Sequence, residues 1–187
     1  AAALLVAALS LWKGLFAHDF NIEYVASYTS RNLPTYYIVS AFWAGQKGSL
    51  LFWAVVLSCF SAVAQWVTSR RYADLLPYVA GVTNLVVVFF VIVMIFAANP
   101  FDRLAFIPED GRGLNPQLQN IGMVMHPPML YLGYISVTIP FAFAVAALLR
   151  RRRLHLRIGV REDRHLRQRA VAALLERLAG HGAFPFL

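Results

Sequence analysis

The residue best suited to chemistry is His126, which stands directly before Pro127 and Pro128 and between Met125 and Met129. A residue before proline is pushed away from helical geometry, and proline is well suited to open a helix. The spacing therefore expects His126 at the mouth of a helix that starts near residue 129, with Met125, Met129 and Tyr131 close by. An imidazole there can ligate haem iron, exchange a proton near neutral pH or hydrogen-bond at a water–lipid boundary. The residues alone leave those three open. The five histidines are His18, His126, His155, His165 and His181, and no two have the i, i+3 or i+4 spacing of a shared metal site. The chain shows no nucleophile triad, no GxxxxGKS loop and no GxGxxG turn. Its single cysteine, Cys59, lies in an apolar run and reads as a small core residue.

A second cluster of suggestive residues is Trp43-Ala44-Gly45-Gln46-Lys47-Gly48-Ser49. Two glycines bracket two polar residues just before an apolar run. Glycine permits turns that other residues resist, and Ser49 is a plausible cap for the helix that follows.

The elements that carry these segments are read from hydropathy. The chain has 187 residues, 59% of them hydrophobic and 14% charged. A soluble domain carries more charge. The apolar residues come in long runs, at about 1–17, 49–68, 78–98 and 129–149. Runs of some 20 residues match the roughly 30 Å of a bilayer core. The fold class expected is all-α, a polytopic integral membrane protein with about four transmembrane helices in this chain. Ala1–Phe16 reads as the end of a first span, because Trp12 and Lys13 occupy the place of small cleavage-site residues. Aromatics mark the ends of the runs, as headgroup layers favour. Within the runs, Gln65 and Asn84 read as interhelical hydrogen-bonding residues, and Pro140 predicts a kink.

Charge orients the bundle. Residues 1–149 hold seven basic and six acidic side chains, whereas 150–187 hold ten arginines and three acids. Arg70 and Arg71, and the run Arg150–Arg153, belong on the cytoplasmic side. Loops 18–48 and 99–128 then face outward. The domain division is a transmembrane region over 1–149 and a basic cytoplasmic tail over 150–187. The tail favours anionic lipid as its contact. It lacks the folded basic surface of a nucleic-acid binder.

Three segments together resemble the CcmF-type haem lyase subunits of bacterial cytochrome c maturation. Residues 43–51 resemble the motif WGxxEGSLL. Residues 113–134, Gly113-Leu114-Asn115-Pro116 through His126-Pro127-Pro128-Met129-Leu130-Tyr131-Leu132-Gly133-Tyr134, resemble GLNPLLQ…HPPxLYxGY. The run Asp19–Val25 fits as well, and the likeness covers about residues 11–149. It implies a multi-pass protein of the bacterial inner membrane with periplasmic outer loops. Such a subunit receives haem b from a periplasmic haem chaperone. Together with other maturation subunits it assists thioether attachment to apocytochrome c. The resemblance implies His126 as the cofactor-binding residue, an axial ligand to the iron of that haem, and names no catalytic acid or nucleophile.

The chain departs from the pattern in two places. Lys47 stands where the motif has Glu. After Leu149 the expected further span and Trp-rich segment, with a second outer histidine and two membrane histidines, are replaced by arginine-rich sequence. Residues 164–178 could form a basic amphipathic helix; a frame change near codon 150 or a truncation is the favoured explanation. The competing functions are a paralogous haem-handling subunit, a transporter or respiratory-complex subunit without haem chemistry, and an inactive fragment.

Overall fold

The computed structural model describes residues 1–69, 72–151 and 168–169. Arg70, Arg71 and nearly all of the basic tail, with all but residues 168–169 of the helix expected over 164–178, lie outside the described residues. The chain divides into two compact units, Ala1–Ala146 and Ala147–Leu187. The architecture that follows is that of the first.

It is an all-α membrane fold. The helices are α1 (Ala2–Ala17), α2 (Glu23–Tyr28), α3 (Thr35–Ala44), α4 (Gln46–Thr68), α5 (Leu76–Phe96) and α6 (Ile121–Ser136), with a short 3-10 turn at Pro116–Leu118. Helical backbone continues over 138–151. Among the described residues three helical stretches are long and apolar enough to cross a membrane: Gln46–Thr68, Leu76–Phe96 and Ile121–Arg151. The apolar α1 is shorter. Helices dominate because a backbone in lipid must satisfy its own hydrogen bonds.

The main core gathers where α1, α3 and α4 meet. Leu11, Leu15, Val25, Phe42 and Leu51 are all but fully buried there. Trp12 lies on Phe42 with ring centroids 4.8 Å apart. The α4–α5 pair packs Trp53 on Phe90, with ring centroids 5.7 Å apart, and adds a contact between hydroxyls. Ser61 and Thr83 are 2.7 Å apart, and the Gln65 amide donates to Ser61 at 2.8 Å. The Gln65 bond stays within α4, so the interhelical contact expected of Gln65 is not made, and Asn84 is exposed.

The two long loops are structured. Loop 18–48 contains α2 and α3, neither of which the hydropathy pattern marks. Loop 99–128 runs along α2 and is stitched to it by backbone. Glu23 N–H donates to the Asp102 carbonyl (2.8 Å), Leu104 N–H to Asn21 (2.9 Å), Arg112 N–H to Ala26 (2.8 Å) and Gly113 N–H to Thr29 (3.0 Å). The Asp110 carboxylate accepts from the N–H groups of Arg31 and Gly111. Those donors hold its carboxyl below the ordinary aspartate range, the Arg31 amide contributing most.

Two helix ends differ from expectation. Helix α6 begins at Ile121, not near residue 129, because the Asn120 side chain caps it, accepting from Gly122 N–H at 2.8 Å. Pro127 and Pro128 therefore lie inside the helix. Having no N–H, they leave the carbonyls of Met123 and Val124 without their usual donors four residues on. Helix α4 begins at Gln46 with Gly45 at its cap position, so Ser49 is not the cap. Near Pro140 the regular helix is interrupted only at Val137, whose backbone stays right-handed helical (φ −63°, ψ −25°), and the helical stretch reads through from Ile121 to Arg151. The proline removes the donor for the carbonyl of Ser136, the last residue of α6.

Candidate functional site

The sequence cluster 43–49 folds around one phenol. Tyr24, on α2, is buried, and its hydroxyl donates to the carbonyls at the end of α3, Ala41 (3.0 Å) and Phe42 (3.1 Å). It accepts from Gly45 N–H at 3.0 Å. Burial drives its pKa well above the ordinary phenol value, so it stays a neutral donor and acceptor. The chain passes so close that side chains are excluded at two positions. A Cβ on Gly45 would run into the Tyr28 ring, and one on Gly48 into the Phe42 carbonyl and Tyr24. The glycines serve close approach, a need that spacing alone could not distinguish from an ordinary turn.

Lys47 projects from the first turn of α4 into a pair of acids. Its ammonium lies 2.8 Å from Glu23 Oε2 and 2.8 Å from Asp102 Oδ2. A lysine at a helix N-terminus meets the positive end of the dipole. Two carboxylates offset that, and through them one side chain holds α2, α4 and loop 99–128 together. The departure from the Glu of the motif is thus matched by acidic partners.

Ser49 joins this cluster to the helix of His126. Its hydroxyl donates to the Trp43 carbonyl at 2.9 Å and lies 3.3 Å from the Tyr131 hydroxyl. With the serine proton committed to Trp43, Tyr131 is the donor in the second contact. The Tyr131 ring packs on Trp53 (5.4 Å between centroids) and Phe52 (6.1 Å). Two adjoining cavities flank Trp43, Ala44 and Tyr131. One, of about 310 Å³, is also lined by Gln46, Ser49 and Trp53. The other, of about 210 Å³, reaches Leu114, Met123 and Pro127. Sequence reasoning missed Tyr131 as the link, because the hydroxyl partner lies 82 positions away.

His126 itself sits in the second turn of α6, exposed. It makes no hydrogen bond among the described residues, so both ring nitrogens are free for a ligand. Met125 and Met129, expected beside it, are exposed on the same helix. Among the described residues no group of three or more His, Cys, Asp or Glu side chains could hold a metal ion. What the arrangement offers chemically is an imidazole with both nitrogens open, on a helix whose Tyr131 contacts Ser49.

The family model described as cytochrome C assembly protein matches residues 43–187. A cytochrome c-type biogenesis protein CcmF of Pseudomonas fluorescens is 42% identical over 132 residues, 70% of this chain and 20% of that protein. The cytochrome c-type biogenesis protein NrfE of Haemophilus influenzae is 36% identical over 147 residues, 76% of this chain and 23% of that protein. A solved structure, a cytochrome c heme lyase CcmF, superposes with a TM-score of 0.63 at 31% identity. It covers 81% of this chain and 23% of that one. The chain thus spans about a fifth of the length of the curated relatives it matches.

Proposed function

Because the chain belongs to the cytochrome c assembly protein family, we propose that it acts in cytochrome c maturation as the part of a haem lyase subunit that presents an outer-face ligand, His126, to incoming haem. The observation that carries this reading is a free, exposed imidazole on a helix whose Tyr131 is tied to Ser49 of the other family-like segment. A neutral imidazole is a good ligand for haem iron, and an exposed one is open to a carrier.

The haem is substrate here. The other residues hold His126 where a porphyrin can reach it. Tyr131 anchors the helix, Ser49 and Trp53 receive the anchor, and Lys47 with Glu23 and Asp102 fixes the loops beside it. Attachment of the haem vinyls to cysteine thiols then depends on holding the two in register. In this reading the outer loops are periplasmic and the membrane is the bacterial inner membrane, in accord with the arginines after the second and last apolar runs. The partners are a periplasmic haem chaperone, apocytochrome c, other maturation subunits and membrane lipid.

The test is His126→Ala in the complete protein. Haem capture should fall sharply and cytochrome c yield with it. Unchanged capture and unchanged yield would overturn the reading.

A further inference from the structure

The chain has four methionines, and three of them, Met123, Met125 and Met129, lie within seven residues around His126. Met94, the fourth, is buried at 7% exposure, as a gap-filling thioether usually is. The other three are 42%, 51% and 59% exposed. Helix geometry sorts them. At about 100° per residue, Met125 and Met129 fall about 40° apart around α6, and His126 lies about 60° beyond Met129. Side chains three and four apart are neighbours on a helix surface, so Met129 adjoins the positions of both Met125 and His126. Gly122, one turn below on the same face, adds no side chain, and a Cβ there would meet only the Asn120 side chain. Pro127 and Pro128 project elsewhere.

We propose that Met125, His126 and Met129 form a binding site for a soft monovalent metal ion, Cu(I). Two thioether sulfurs and one imidazole nitrogen make a neutral ligand set, which suits Cu(I) and not Mg²⁺ or Ca²⁺. Helix α6 carries no carboxylate that would favour a hard cation. The ion binds without electron transfer, displacing only water, and three-coordinate geometry needs no fourth protein ligand. The site shares His126 with the haem reading but does not rest on it.

The experiment is Cu(I) competition on the full chain in detergent or lipid nanodiscs, under anaerobic conditions, with bicinchoninate as the competing chelator. The intact protein should withdraw one equivalent of Cu(I), with sulfur scatterers in its X-ray absorption spectrum. Met125→Leu and Met129→Leu keep the side-chain volume and should each weaken binding by at least roughly ten-fold, the scale of losing support at a metal site. Met123→Leu should change it less than about two-fold. If bicinchoninate keeps the copper, or if both leucine variants bind as tightly as the parent, the thioethers serve only as lipid-facing side chains and the proposal is overturned. Haem capture by His126→Ala decides the other reading separately. Haem capture that survives in the two leucine variants, alongside lost copper, separates the two.

Discussion

The hydroxyl of Tyr131 lies 3.3 Å from that of Ser49, across 82 residues of chain. This contact joins the start of α4 to the helix of His126. Removing the Tyr131 hydroxyl should cost about 0.6 kcal/mol, the average for a hydrogen bond between membrane helices, and removing that of Ser49 should cost more, because its bond to the Trp43 carbonyl goes too. A double-mutant cycle of Ser49→Ala and Tyr131→Phe, read by reversible unfolding in mixed micelles, should show coupling of about 0.6 kcal/mol. Additive single effects would show that the hydroxyls do not interact. Tyr131→Ala should cost more, about 2–3 kcal/mol, because the Trp53 and Phe52 rings lose their partner.

Lys47→Glu would set three carboxylates against one another at the N-terminus of α4. Loss of both ion pairs, each partly exposed, accounts for about 1 kcal/mol, and repulsion adds to it. Pairing Lys47→Glu with Glu23→Lys should recover much of the loss in melting temperature. No recovery would mean that position 47 is sensitive for reasons other than charge.

Gly48→Ala should destabilise by about 3 kcal/mol or more, since its Cβ would meet the Phe42 carbonyl, which cannot move without breaking the Tyr24 lock. Gly81→Ala and Gly133→Ala face open space and should be neutral or stabilising by up to about 1 kcal/mol. Expression level and thermal unfolding of the three variants provide the comparison.

The depressed carboxyl of Asp110 makes the loop stitch pH-sensitive. A group whose pKa is lowered on folding contributes stability that is full above its unfolded value, about 3.9 for aspartate. That contribution is lost as pH falls through the lower folded value. The amides of Arg31 and Gly111, which donate to Asp110, should lose protection from hydrogen exchange in that acid window. Asp110→Asn should lack this added pH response. Equal response in both proteins would show that Asp110 is not its source.

The long apolar runs made the membrane helices legible, because a lipid-facing segment must be apolar along its whole length. The segment 23–44 was not legible as two helices. Its tyrosines and valines carry no repeating stripe, and packing on α1 and α4 decides its form. The beginning of α6 was mistaken because His126-Pro127-Pro128 looks like a helix opening. The better signal was Asn120 ahead of Ile121, a side-chain cap. Lys47 could be seen as a departure from its motif. Its partners, 24 and 55 residues distant, could not. His126 was legible as a candidate, whereas its anchor Tyr131 depended on a tertiary contact.

The adjacent prolines in α6 also determine how deep this helix can sit. The carbonyls of Met123 and Val124 have lost the donors that a regular helix would supply. A carbonyl in that condition is costly to immerse in hydrocarbon. Such carbonyls favour the hydrated headgroup layer over hydrocarbon for the second turn of α6, however apolar its side chains are. Under the proposed function the prolines would act as a waterline, keeping His126 level with the membrane surface and within reach of a haem carrier.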